Sequence, residues 1–511
     1  MCLMAKSKFN ERLVLCVKAR KVRDLVKGLD HKVLKGNIDT EVSDVVFDSR
    51  KATKDTIFVC IIGAVSDGHD YIKKAYDAGC RAFVIEKDVK DFDEDNESLV
   101  IKTDNNRRAL AVLSQAIFEH PGNDLTTIAI TGTKGKTTTS FMIRDILTQH
   151  GKNVGIIGTT GVYIKDKYIE IHNTTPESYD IQKFFRMMVE DGCDTCVMEV
   201  SSQALKLDRT YGIEFDYGIF TNLAPDHIGE NEHKDYAEYR HCKSILFTQC
   251  KHGIFNLDDK ETDEMTKNAT CDIHTYGFDE DSSLYAENLE YVMKPGMIGI
   301  SFDSHGAVEG NIVVATPGKF SAYNAMAAIL VSSLIGVDIE DIKKALLKTF
   351  VKGRVEQVKV SDRFTLMIDY AHNAMSMESL LSTIREYKPK RIVSLFGCGG
   401  NRSKLRRYEM GEVSGRLADF SIVTADNSRF ENVNDIIDDI LVGMKKTDGK
   451  YIVIPDRKEA IKYSIENAKD GDIVLLLGKG HEDYQEIEGV RYPFDERVII
   501  AEIMEELGGK I

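Results

Sequence analysis

An α/β fold in three domains follows from three observations on the sequence. Short apolar or β-branched runs alternate with amphipathic stretches of helix length. The alternation comes in two separate series, and a glycine-rich loop sits between a strand and a helix at the start of the first. Taken in order, residues 1–20 form an extension and residues 21–122 a first α/β domain, closed by the linker Glu119-His120-Pro121-Gly122-Asn123-Asp124. Residues 123–348 form a central domain with a mostly parallel sheet. Its strands are expected at 127–131, 154–157, 195–200, 217–220 and 253–257, with helices at 137–150 and 178–190 and a helical run at 320–334. After a hinge at 348–354, residues 349–511 form a Rossmann-like domain, with strands at 365–368, 391–396, 420–424, 451–454 and 473–477 and helices at 376–386 and 434–444. No internal repeat or low-complexity tract is expected.

The chain has 511 residues, 42% of them apolar and 29% charged, the balance of a globular protein with a sizeable core. A net charge of −15 speaks against a general nucleic-acid binder, so an anionic substrate would have to be met by a local cluster of cations and backbone N–H groups. The ten cysteines are scattered. Cys193-Asp-Thr-Cys196 has a suggestive spacing, but Cys196 opens the buried-strand run Cys196-Val197-Met198 and no second ligand pair accompanies it, so reduced thiols are expected. The first 26 residues are broken by charge too often for a signal peptide, and no run approaches the ~18 apolar residues of a membrane span. A cytoplasmic protein without membrane insertion is expected.

Residues 127–131 run into Gly132-Thr133-Lys134-Gly135-Lys136-Thr137-Thr138, and a helix begins there. Glycines let backbone N–H groups turn in around phosphate oxygens. Lys136 would supply charge to the β- and γ-phosphates, and the Thr137 hydroxyl would ligate Mg²⁺. Ile130 stands where the common GxxxxGK[ST] loop has its first glycine, so this loop is shorter. A site that moves phosphoryl groups also needs a carboxylate at a strand end, and Glu199, followed by Ser201 and Ser202, offers one. Thr221-Asn222 through Asp226-His227 again place polar groups after a strand, and Lys243 follows at helical spacing from Tyr239. Singly, each has a plain structural explanation.

Together these residues resemble the Mur ligase family, which builds peptidoglycan peptides in the bacterial cytoplasm. The resemblance runs from about residue 20 to the C-terminus. The family loop TGTxGKTT falls on 131–138, its metal-binding Glu on Glu199, its second-metal His on His227 and its carbamylated lysine on Lys243. The resemblance implies ATP, two Mg²⁺ ions and a CO₂-derived carbamate on Lys243. It implies catalytic roles for Lys136, Lys243, His227 and Arg354, and ATP contacts that include Asn324, Arg354 and Asp369. Asn324 lies in Gly318-Lys319-Phe320-Ser321-Ala322-Tyr323-Asn324-Ala325, and Asp369 in Asp369-Tyr370-Ala371-His372-Asn373.

Within the family, the residues are similar to those of the branch that adds the third amino acid. The N-terminal domain would bind uridine nucleotide, with Ser49 and Arg50 as contacts. Asn173, Thr174, Thr175, Ser202 and Arg209 would hold the UDP-MurNAc-L-Ala-D-Glu substrate, although Leu207 replaces a frequent Gln. Arg402, Asp426, Asn427, Ser428, Arg429, Gly478 and Glu482 would form the amino-acid pocket. Cations there suit carboxylates, and Glu482 suits a distal ammonium. Relatives that take meso-diaminopimelate carry DNPR where this chain has Asp426-Asn427-Ser428-Arg429, and Asp where it has Ser403. The retained Arg favours meso-diaminopimelate over lysine, ornithine or another amine. A monomer is expected. The competing readings are folylpolyglutamate synthetase on a similar core, a P-loop NTPase driving a partner or transport event, and a non-catalytic paralogue.

Overall fold

The computed structural model describes residues 18–63, 66–89, 97–226, 228–229, 232–294 and 297–508. Three large sheets follow one another along the chain. The first has five strands in the spatial order Lys32–Lys35, Leu99–Lys102, Ala82–Ile85, Thr56–Val59, Asp44–Val46, parallel except at the first pair. Its three inner strands are buried and mostly apolar on both faces because both are covered. Ile57, Val59, Val84 and Ile101 pack with the helix Asn106–Ile117, while Phe58, Phe83 and Val100 pack with Ile72–Asp77.

The central sheet has eleven strands. Val154–Gly158, Thr195–Glu199, Thr126–Thr131, Phe215–Phe220, Cys250–Asn256, Asp272–Gly277 and Leu284–Lys294 lie side by side in parallel. Antiparallel hairpins extend both edges, through Gly161–Ile164 and Lys167–Ile169 on one side and Met297–Gly306 and Gly310–Val314 on the other. Alternation along Thr126–Thr131 sends Ile128 and Ile130 to one face and Ala129 to the other. The first face packs on the helices Lys136–Gln149, Lys319–Ile335 and Ile339–Leu346. The second packs on Ser178–Glu190. The apolar residues of Lys319–Ile335 go almost all the way round because the helix is buried.

The C-terminal sheet runs Glu356–Val358, Thr365–Asp369, Asp472–Leu477, Arg391–Phe396, Phe420–Val423, Tyr451–Val453, again parallel except at the first pair. Ala374–Arg385, Lys404–Leu417 and Val433–Met444 cover one face, Arg457–Glu466 and Glu496–Glu506 the other. Several expected boundaries move by a residue or two for local reasons. The strand from Thr195 stops at Glu199 because Ser201 caps the next helix, and the helix expected from residue 376 starts at Ala374 because the Asn373 side chain accepts the Ser376 N–H.

Side chains join the units. Asn105 donates to Asp208 (2.9 Å), Tyr179 to Asp44 (2.9 Å), and the Tyr387 hydroxyl donates to Gly299 O (2.7 Å) while accepting the Gly318 N–H (3.0 Å). Among the described residues no helix is long and apolar enough to cross a membrane. Cys193 and Cys196 are buried free thiols.

Candidate active site

The strand Thr126–Thr131 delivers the phosphate loop to the carboxyl end of the central sheet, where open α/β folds place their ligands. Ile130 is fully buried between the strand and the covering helices. Its burial contributes ~2–3 kcal/mol, so the sequence keeps core here instead of the first loop glycine. Gly132 has φ +145°, and a Cβ on it would stand 2.0 Å from Thr221 Oγ1; a Cβ on Gly135, at φ +90°, would stand 2.4 Å from Asn324 Oδ1. Only glycine fits at either position.

The loop is clamped from the neighbouring strand end. Thr221 donates to Lys134 O (2.7 Å), and Asn222 Oδ1 accepts the Lys134 N–H (3.0 Å). Lys136 Nζ donates to Gly132 O (2.8 Å) and Thr133 O (3.2 Å). Lys134 is exposed and Thr138 half-buried, while Thr139 donates to Asn324 Oδ1 (3.3 Å), which ties the helix Lys319–Ile335 to the loop.

Glu199 is fully buried. Its Oε1 accepts the Thr137 hydroxyl (2.9 Å) and the Thr159 N–H (3.0 Å), and its Oε2 accepts the Thr159 hydroxyl (3.0 Å). Among the described residues it makes no ion pair. A buried carboxylate with neutral donors, beside a Thr hydroxyl and the amino end of a fourteen-residue helix, fits a hard divalent cation carrying phosphate oxygens. Lys243 is also buried, donating to Gly132 O (2.9 Å) with its ammonium 4.7 Å from the Tyr239 ring centroid. Burial first, then the charge of Lys136, push its pKa well below the usual lysine value. Burial and then Arg354 lower the Lys136 pKa, against Glu199 and Asp226. Gly132, Lys136, Ser202, Tyr239 and Lys243 line a cavity of about 220 Å³, where Ser202 Oγ meets His233 Nε2 at 2.9 Å. His227 lies outside the described residues.

The other substrate positions divide. Thr174 bonds Thr159 (3.1 Å), itself a donor to the Glu199 carboxylate, while Thr175 donates to the Glu199 main-chain carbonyl (2.9 Å); Asn173 is exposed. Arg209 is engaged within the protein, with Glu177 (2.8 Å) and Thr175 O (2.8 Å). On the N-terminal unit, Ser49 is buried and the exposed Arg50 pairs with Asp48 (2.7 Å), whose carboxyl this contact holds down at about 2.

In the C-terminal unit, both Asp369 oxygens accept backbone N–H groups, those of Val355 and Ala371 (2.8 Å each). Asp369 therefore fixes the backbone next to Arg354, whose guanidinium lies 5.1 Å from the Tyr370 ring centroid. The amino-acid positions come together where three loops meet. Arg457 and Glu496, both fully buried, form an ion pair (2.8 Å), and Arg457 also donates to Ala425 O (3.1 Å) and Leu477 O (2.8 Å), locking two of those loops. Arg429 has φ +52°, held by backbone bonds with Glu486 in the strand Tyr484–Ile487 and Glu488 in the turn that follows it. Its side chain donates to Gly400 O (2.8 Å) and Glu486 (3.3 Å). Arg402 is exposed, with its Cγ 3.8 Å from where a Cβ on Gly399 would stand. Asn427 donates to Glu482 (2.9 Å), and Ser428 is buried with its carbonyl against Gly400. Burial raises the Asp426 pKa, but Lys479 and Arg457 more than offset this and leave it below the usual range.

Sequence reasoning gave no role of their own to Thr159, Tyr239, Lys479 and Glu486. Only Lys479 carried a local signal, its place between Gly478 and Gly480.

A strand–loop–helix phosphate cradle with an acid behind it, in a chain whose second α/β unit carries an ionic pocket, is the arrangement of an ATP-dependent ligase. Residues 41–118 match "Mur ligase family, catalytic domain", 130–332 "Mur ligase middle domain" and 353–480 "Mur ligase, glutamate ligase domain". The chain is 40% identical, over 94% of its length and 99% of the relative's, to the UDP-N-acetylmuramoyl-L-alanyl-D-glutamate–2,6-diaminopimelate ligase of Clostridium botulinum. A solved structure of a ligase of the same name superposes with TM-score 0.71 at 25% identity, over 96% of this chain and all of that one. The fold of the MurF ligase of Thermotoga maritima, solved with ADP, is also similar (TM-score 0.55, 18% identity, 91% and 97% covered). The chain belongs to the Mur ligase family.

Proposed function

We propose that the chain joins an amine of meso-diaminopimelate to the D-Glu γ-carboxylate of UDP-MurNAc-L-Ala-D-Glu, converting ATP to ADP and phosphate. The observation that carries the choice of amine is Arg429, held above Gly400 in the same pocket as Glu482, so that a cation and a carboxylate are both on offer. The γ-carboxylate attacks the γ-phosphorus in line, and ADP leaves. Lys136 and Arg354 offset the charge gathering on the transferred oxygens. The neutral amine then attacks the acyl phosphate, phosphate departs, and the nitrogen gives up a proton as the amide forms. Thr137 and Glu199 are the residues that would hold one Mg²⁺, and His227 with a carbamylated Lys243 a second; bound there, the ions would supply positive charge at the phosphates. The neutral Lys243 amine is the form that adds to CO₂, making an N–C bond and losing a proton to leave an anion.

This reading carries with it the domain limits 21–122, 123–348 and 349–511, a monomer working in the cytoplasm, and dipeptide-substrate contacts at Ser49, Arg50, Asn173, Thr174, Thr175, Ser202 and Arg209. A second reading, lysine as the amine, is favoured by one observation: Glu486 already pairs the Arg429 charge that would read a distal carboxylate. Incubation with ATP, the UDP-MurNAc dipeptide and each amine in turn, with products weighed by mass spectrometry, separates the two. A product of diaminopimelate mass is expected. A product with lysine alone would reverse the choice, and ATP cleavage with no amide product would overturn the ligase reading.

A further inference from the structure

Lys479 is fully buried, and its ammonium gathers three side chains of the amino-acid pocket. It donates to Asn427 Oδ1 (2.9 Å), Asp426 Oδ1 (3.2 Å) and Glu482 Oε2 (3.3 Å). A buried ammonium is stable only when charge and hydrogen bonds balance it, and here two carboxylates share one cation. The nearby Arg457 is balanced by Glu496, so the cluster keeps one net negative charge. The contacts also fix an orientation. Lys479 Nζ and the Glu486 N–H both donate to Asn427 Oδ1 (2.9 Å each), which turns the amide so that Nδ2 donates to Glu482 Oε2 (2.9 Å). Glu482 Oε2 then holds two donors, while Oε1 has no hydrogen bond among the described residues.

We propose that Lys479 is a positioning residue for the incoming amino acid, setting the pocket at one net negative charge and presenting the open oxygen of Glu482 to a substrate ammonium. This rests on reading the pocket as the amino-acid site. Without Lys479, the buried Asp426 and the partly buried Glu482 would face each other as uncompensated anions, and one would move or take up a proton.

The test is steady-state kinetics on the full chain, with KM measured separately for meso-diaminopimelate, ATP and the UDP-MurNAc dipeptide. Lys479→Met is expected to raise the diaminopimelate KM ~10-fold or more, with the other two KM values within ~2-fold. Asp426→Asn alone leaves the cluster neutral and should raise the same KM. The double variant Lys479→Met/Asp426→Asn restores one net charge and should recover at least half of the loss on a logarithmic scale. A packing role would not produce that reciprocal rescue. An unchanged diaminopimelate KM in Lys479→Met, or a double variant no better than the worse single, would overturn the proposal. Should Lys479→Met fail to fold, the Asp426→Asn and double variants still decide it. Glu482→Gln checks the underlying reading. If it too leaves the diaminopimelate KM unchanged the pocket is misassigned, whereas if it alone raises that KM only the role of Lys479 is wrong.

Discussion

The two ends of the site are built from different materials. At the phosphate end every contact has a backbone or uncharged group on one side: Gly132 against Thr221, Lys134 clamped by Asn222, Lys136 and Lys243 on the Gly132 carbonyl, Glu199 taken by Thr137 and Thr159. At the amine end they are ion pairs and amides between side chains: Lys479 with Asp426 and Glu482, Arg429 with Glu486. Every ATP presents the same phosphates, so a rigid backbone cradle suffices there. Selecting one amine needs opposite charges at set positions, and side chains supply them at the cost of burying charge. The first end should tolerate no added atom, and the second should yield by degrees.

The same one-methyl insertion at each end tests the contrast. Gly132→Ala puts a Cβ 2.0 Å from a Thr221 hydroxyl already committed to Lys134, at a φ that alanine occupies only under strain. Turnover is expected to fall ~10²–10³-fold, since displacing the loop removes several donors to the transferred phosphoryl at once. At Gly399 the nearest atom to a new Cβ is Arg429 Nη1 at 3.1 Å, the far end of a flexible side chain. Gly399→Ala is therefore expected to raise the diaminopimelate KM only a few-fold. Equal losses of turnover in the two variants would break the comparison. Arg429→Ala sharpens it: removing the whole guanidinium should raise that KM ~10–100-fold with the ATP KM unmoved.

The same difference governs what could be read before folding. The phosphate end was legible because strand, GTKGKT and helix are contiguous and each glycine has a local reason. Glu199 was legible as a polar residue ending an apolar run. Lys243 reaches Gly132 from 111 positions away, so its contact had no local trace and its role came only through the family resemblance. Asp426 and Lys479 lie on two loops and Glu486 on the strand Tyr484–Ile487, and charge balance among them is a property of the folded arrangement. Of the fold, five parallel strands of the central sheet and five of the C-terminal sheet were legible because the period changes between them and the helices that follow, whereas the strands of the first sheet and Asp272–Gly277 were not picked out. The antiparallel edge Leu284–Lys294 to Gly310–Val314 was not, since its outer faces are polar and no helix separates its strands.

The smallest expected effect concerns the loop between the two ends. His481 packs at a tilt against Tyr370, with ring centroids 4.8 Å apart, and burial together with Arg354, Lys352 and Arg497 lowers its pKa to about 4, against the opposing charge of Asp483. The folded chain then binds fewer protons at this ring than the unfolded chain between its ordinary pKa of about 6.5 and about 4. Stability from this group is complete above pH 6.5, falls as the pH drops through that window, and levels off below it. Between pH 7 and pH 5 the loss is no more than about 2 kcal/mol, reduced by the ring's partial exposure. His481→Gln should flatten that part of the urea-midpoint profile, leaving the slope that the carboxylates impose. If the variant and the parent lose stability in parallel from pH 7 to pH 5, neither burial nor the three cations hold the His481 pKa down.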